Sequence, residues 1–228
     1  MKRCFLEVAI DSIDGLNAAE RGGADRIELC AQLHEGGVSP SDYLLSMAVA
    51  KTNLPIRVMV RPRGGSFIYT NEEFQIMKRE ILRSKKVGIE GVVFGLLLNE
   101  HEIDVDRTRV LVDLANPIKS TFHRAFDSLK NPLEVIDQVI STGVDTLLTS
   151  GGTQSAEQSV EAIAKLVEKS NGRISILAGG GVRGSNVARI VRTTGVRSVH
   201  VGAGLTVSQQ IGEIEERVRS VRQELDLL

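Results

Sequence analysis

The chain has 228 residues, 42% of them hydrophobic, with 28 Lys and Arg against 29 Asp and Glu and a formal net charge of −1. That balance argues against a general nucleic-acid binder, which carries a basic excess or stripe, and the length suits one large core. Two cysteines, Cys4 and Cys30, make no disulfide framework. The N-terminus begins basic and then turns apolar, but Glu7 and Asp11 interrupt the run too early for a signal peptide. No window approaches the roughly 18 apolar residues of a membrane span. A cytoplasmic chain is therefore expected, with no membrane and no nucleic acid among its partners.

Short apolar runs follow one another along the chain. They are FLEVAI (5–10), RIEL (26–29), IRVMV (56–60), GVVFGLLL (91–98), IKSTFH (118–123), TLLTS (146–150), ISILA (174–178) and SVHVG (198–202). Most do not alternate, as expected of parallel strands covered on both faces. The segments between them read as helices. Thr70 with Glu73 fits a capping box, Ser155 with Gln158 repeats that logic, and Asn131-Pro132 offers a cap followed by proline at the first helical position. KREILRSKK (78–86) carries Ile81 and Leu82 at helical spacing and reads as a solvated helix face. A glycine able to close a helix precedes a strand at residues 22, 88, 143 and 195. A last helix over about 207–226 has Ile211, Ile214, Val218, Val221 and Leu225 on one stripe, to pack on the barrel or at a subunit interface.

Eight strands alternating with helices, without a linker or composition break, predict a single-domain (β/α)₈ TIM barrel over residues 1–228. A doubly wound sheet is the competing architecture. GGGVRG (179–184) matches G-x-G-x-x-G, but it follows the seventh strand and has no acidic residue after it until Glu213, so a dinucleotide site is rejected.

Function in a barrel collects at the C-terminal ends of the strands. That layer offers Glu7, Glu28 with Cys30, Arg61 with Arg63, the stretch FHRAFD (122–127), and glycines at 151–152, 179–181 and 202–204, with His200 lower on strand eight. Glu7 and Glu28 would be costly to bury against the outer helices without partners. They are expected to point inward and to pair with Arg61 and His123. Arg63, Gly151, Gly152, Gly180, Gly181 and Gly202 are expected to hold a phosphate or other small anion through a guanidinium and bare backbone N–H groups, although such glycines also serve as tight turns. Neutral His123 beside a carboxylate is a natural acid or base near pH 7. Asp127 fits either the site or a turn cap, and Arg124 would point away or curl over the rim.

LEVAIDS (6–12), RGGADRIELCAQLHEGGVSPS (21–41), VMVRPRGGSFIYTNEEF (58–74), GVVFGLL (91–97), TFHRAFD (121–127), LTSGG (148–152) and GGGVR (179–183) resemble the copper homeostasis protein family CutC. The resemblance runs to about residue 205. It implies a TIM barrel, a cytoplasmic location, copper-ion binding and dimers or larger oligomers. It also implies a common pocket holding Glu7, Glu28, Arg61, His123 and Asp127.

Cu(I) prefers thiolate and thioether ligands. Aligning LEV with IEL puts Cys4 and Cys30 five residues apart, roughly 16 Å at the rise of a strand, on opposite faces. They are not expected to share an ion within one chain. Cys30, with His123 or a cysteine of another subunit, is the metal candidate. The sequence thus supports two functions: a copper protein, or an isomerase, epimerase or lyase that moves a proton on a small phosphorylated or carboxylated metabolite.

Overall fold

The computed structural model describes residues 3–202 and 211–228. Eight parallel strands form a closed barrel in chain order: β1 (Phe5–Ile10), β2 (Arg26–Leu29), β3 (Ile56–Met59), β4 (Gly91–Phe94), β5 (Lys119–Phe122), β6 (Thr146–Thr149), β7 (Ser175–Ala178) and β8 (Ser198–Val201), which returns to β1. The helices between and after them are α1 (Ile13–Arg21), α2 (Asp42–Lys51), α3 (Asn71–Lys85), α4 (Val105–Ala115), α5 (Pro132–Ser141), α6 (Val160–Ser170), α7 (Gly184–Thr194) and α8 (Ile211–Asp226). This is the expected (β/α)₈ architecture. Among the described residues no helix is long and apolar enough to cross a membrane.

Local chemistry fixes most helix starts. Thr70 and Glu73 form the full capping box at α3. Ser12 accepts from Gly15 N–H at 3.1 Å, Ser41 from Leu44 N–H at 3.2 Å, and Asp104 from Arg107 N–H at 3.0 Å. The Ser155–Gln158 pair starts no helix: residues 156–159 are turns and α6 begins at Val160. At the end of α1 it is Gly23, not Gly22, that adopts the left-handed conformation, with φ +94°. A side chain on Gly22 would instead strike Val218 of α8 at 2.6 Å.

Alternation along the strands separates two interiors. Even-numbered residues of β1, such as Leu6 and Val8, join the main apolar cluster between barrel and helices. Ala9, Cys30, Leu33, Met59 and Val93 form a small second cluster inside the barrel. Beyond these and Leu148, much of the barrel interior is polar, with Glu7, Arg26, Glu28, Arg57, Thr121, Thr146 and His200 buried there, where most barrels stack Val, Ile and Leu. On α8, Val218, Val221 and Leu225 are buried, and α8 packs against α1 and α7, so this part of the stripe is used within the chain. Residues 207–210 of the expected helix, and Gly204, lie outside the described residues.

Candidate functional site at the mouth of the barrel

The register decides which charges meet. β1 pairs Glu7 with Arg26 of β2, not with Glu28, and Glu7 with His200 of β8. The first pairing widens the Cys4–Cys30 separation along the strands to seven residues, roughly 23 Å, and Cys4 lies outside the barrel while Cys30 lies within it. Glu7 Oε2 accepts from Arg26 Nε at 2.6 Å, and Glu7 Oε1 lies 2.8 Å from His200 Nδ1. His200 Nε2 lies 3.7 Å from Glu28 Oε2, which also accepts from the Cys30 thiol at 3.6 Å. Glu28 Oε1 is buried without a hydrogen-bond partner. Deeper in the barrel, Arg57 is bound to Glu90 at 2.7 Å, Thr121 at 2.6 Å and Thr146 at 3.0 Å.

These contacts correct the expected pairings. Glu7 and Glu28 do point inward, but their partners are Arg26 and His200 rather than Arg61 and His123. His200, which the sequence places lower on strand eight, is the link between the two carboxylates. Parity carried the signal for Arg26, which shares one side of β2 with Glu28 and Cys30, whereas the level of His200 with Glu7 is set by the β8–β1 register.

Their protonation follows from this packing. Burial opposes the charge of Glu7, but the His200 hydrogen bond and the positive charges of Arg26, His200 and Arg57 outweigh it and hold the carboxyl at about 2. For Glu28 burial wins, and the carboxyl is pushed up despite the pull of His200. Burial alone would depress His200, yet Glu28 and Glu7 together raise it. Burial and the neighbouring Glu28 push the Cys30 thiol up. The arrangement is an ionised Glu7 clamping a His200 of raised proton affinity beside a carboxyl whose proton affinity is raised as well.

His123 stands apart from this group. Its Nδ1 accepts the Ala125 N–H at 3.1 Å, which assigns the proton to Nε2 in the neutral ring. Burial and the nearby Arg61 charge depress the imidazole to about 3. At neutral pH His123 is therefore a hydrogen-bond donor, not the acid–base group expected from the sequence. Its Nε2 has no partner. Gly95 makes room for the ring, since a Cβ there would lie 2.5 Å from His123 Nδ1.

Arg61 is 4% exposed and donates to the carbonyls of Glu35, Gly37 and Gly65 at 3.0, 2.9 and 3.0 Å. Three of roughly five N–H groups thus tie together the loops after β2 and β3. Its Cζ lies 4.8 Å from the Phe67 ring centroid, and the His123 ring lies 5.0 Å from the same ring. Among the described residues no carboxylate forms an ion pair with Arg61. Arg63 is elsewhere. It is bound bidentately to Glu73 and lies over Tyr69, so it braces the start of α3 instead of holding an anion in the mouth.

The stretch after β5 turns at once. Arg124 donates to Asp127 at 2.8 Å and to Ser150 at 2.9 Å. Asp127 accepts from the Ser150 and Gly152 N–H groups at 2.9 and 3.2 Å, and from the Ser150 and Thr149 hydroxyls. Asp127 therefore fastens the loop after β6. That loop's glycines are committed: Gly151 N–H donates to Thr149 at 2.9 Å and Gly152 N–H to Asp127, which removes both from the expected anion site. Gly202 serves packing, because a Cβ would meet His200 Nε2 at 2.5 Å. Gly180 and Gly181 differ. Both have positive φ, and among the described residues neither N–H has a partner.

A cavity of about 490 Å³ opens among these groups, lined by Glu28, Arg61, Phe67, His123, Arg124, Asp127 and His200 with Ala9, Met59 and Leu148. An adjoining space of about 250 Å³ reaches Gly180, Gly181, Arg183 and Gly202 and shares Arg124 and His200 with it. Glu7 supports this wall from behind, through His200.

Comparison with known proteins agrees with this architecture. The sequence pattern of the CutC family matches residues 4–205. A family protein CutC of Vibrio vulnificus is 45% identical over 203 residues, covering 88% of this chain and 81% of that one. The human copper homeostasis protein cutC homolog is 39% identical over 202 residues, covering 89% and 74%. The crystal structure of a putative copper homeostasis protein CutC from Streptococcus agalactiae superposes with a TM-score of 0.81 at 30% identity, covering 87% of this chain and 98% of that one. A phosphoribosyl anthranilate isomerase from Thermococcus kodakaraensis, at 15% identity and a TM-score of 0.65, shares the fold alone.

Proposed function

This chain belongs to the CutC family, named in several relatives for copper homeostasis, and we propose that its barrel mouth binds a small anionic metabolite and moves a proton on it. The observation that carries this reading is Arg61. A buried guanidinium without a carboxylate partner is costly, and a ligand anion would supply the missing charge. No such deficit exists at Glu7, whose charge is already matched.

The surrounding groups divide the work. His123 Nε2–H is a neutral donor aimed at no protein acceptor, suited to polarising a ligand oxygen without carrying charge. Glu28 is the proton carrier, with one oxygen held by Cys30 and His200 and the other free. His200, fixed by Glu7, keeps a positive charge beside Glu28 and stabilises it whenever it ionises. Asp127 and Arg124 hold the loop that forms the opposite wall. The adjoining Gly180–Gly181 amides add a place for a phosphate on a longer ligand.

Thermal unfolding against inorganic phosphate, carboxylic acids and phosphosugars tests this. A ligand at 100 times its Kd stabilises by about 2.7 kcal/mol. The expected result is a rise in Tm for the wild type that Arg61→Met removes. No shift with any anion would sink the reading.

A second reading has its own observation. A Cβ on Gly37 would meet Cys30 Sγ at 3.1 Å and Met59 Cε at 3.5 Å, so a thiol and a thioether line one patch of the inner wall. Those are the ligands Cu(I) prefers. Copper would then be cargo, with Glu28 taking the thiol proton. Glu7, Glu28 and His200, whose donor atoms lie within 4.8 Å of one another, form a harder set that suits Cu(I) poorly. Competition with a chromogenic Cu(I) chelator decides: Cys30→Ser and Met59→Leu should each weaken binding at least tenfold, and equal affinities would reject this site.

A further inference from the structure

We infer that the ligand of this site is an enolisable 2-oxo acid, and that the chemistry is proton exchange at the carbon next to its carbonyl. The inference rests on the anion-site reading above and adds the substrate class. Three complementary deficits in one cavity carry it: a buried cation without a counter-charge at Arg61, a buried N–H without an acceptor at His123, and a buried carboxyl oxygen without a partner at Glu28. A ligand that satisfies all three has an anionic group, an oxygen acceptor and a transferable proton.

The spacing narrows the class. Arg61 and His123 are neighbours on one wall, both against the Phe67 ring, at 4.8 and 5.0 Å. A cation and a neutral donor packed on one aromatic ring suit a carboxylate and a carbonyl on adjacent carbons. Glu28, on β2 beside His200, lines the same cavity and is assigned to the next carbon along. The lining residues include no lysine, so an imine with the protein is not available and the oxygen must remain a carbonyl.

The step balances without a co-reactant. The ionised Glu28 Oε1 takes a proton from C3, the C–H bond breaks, and its electron pair moves into the C2–C3 bond. The carbonyl electrons move onto oxygen, where the His123 Nε2–H stabilises the enolate. Return of the proton from Glu28 to C3 restores the acid, and in D₂O the cycle exchanges the C3 proton for deuterium. His200, 3.7 Å from Glu28 Oε2, flanks the carboxylate and takes no part in the transfer.

The probe is 2-oxobutyrate in D₂O, followed by proton NMR at C3. Wild-type protein should accelerate loss of the C3 protons above buffer. Glu28→Gln should reduce that rate at least 100-fold, while 2-oxobutyrate still raises its Tm. His123→Gln should reduce exchange with anion binding kept. If carboxylates and phosphate stabilise the wild type but exchange matches buffer, the substrate class is wrong and the anion site stands. If no anion stabilises the protein, both fall.

Discussion

His200 and Glu7 face each other across the seam where β8 closes onto β1, with Nδ1 and Oε1 2.8 Å apart. Closure of the barrel and assembly of the site are therefore one event. The pair also carries Arg26 on one side and Glu28 on the other, so a change at Glu7 is felt at the cavity it does not line.

Glu7→Gln tests that coupling. The substitution leaves Arg26 buried without its main partner, and breaking such a pair costs about 3–5 kcal/mol, to be read from urea unfolding at pH 7. In the folded protein the His200 imidazole should titrate at a lower pH than in the wild type, because a negative neighbour that raises it is gone. NMR of the ring nitrogens measures this, and an unmoved titration would contradict the coupling.

His123 gives a pH signature of opposite sign to a paired histidine. Its folded value of about 3 lies below the ordinary 6.5, so the unfolded chain binds the proton first as pH falls. Stability from this residue is full above pH 6.5 and declines between 6.5 and about 3, by up to about 1.4 kcal/mol per pH unit. His123→Asn should flatten the wild-type decline across that window in a series of denaturant titrations.

Gly95→Ala should act on His123 without touching the cavity itself. The new Cβ would fall 2.5 Å from Nδ1 and 3.1 Å from the Ala125 Cβ, so the ring must move. Overpacking of this kind costs about 1–3 kcal/mol. The expected result is a loss of that size together with weakened anion binding.

Asp127→Ala removes the acceptor for two backbone N–H groups, two hydroxyls and Arg124. A buried network losing its centre costs about 2–4 kcal/mol. Hydrogen exchange at the Ser150 and Gly152 amides should accelerate, while exchange in β1 and β2 stays as in the wild type.

The eight strands were legible because each is a short apolar run between cap and glycine signals. The inward turn of Glu7 and Glu28 was legible too, from the cost of burying them elsewhere. Their partners were not, because pairing in a parallel barrel depends on register, and a two-residue stagger exchanged Glu28 for Arg26 opposite Glu7. Arg63 looked equivalent to Arg61 at equal parity, but β3 ends at Met59, and beyond the strand parity no longer decides where a side chain goes. His200 appeared low on its strand because the height of Glu7 on the neighbouring strand cannot be read without the same register. The role of His123 turned on one backbone bond from Ala125, which only the turn after β5 reveals.

Imidazole NMR of His123 and His200 during titration with phosphate and with 2-oxobutyrate tests the anion site most directly. Both rings are expected to shift in the wild type, His123 with the larger change at Nε2, and Arg61→Met, checked as folded by circular dichroism, is expected to lose the response. Rings that stay unperturbed at saturating concentrations of both anions would contradict it.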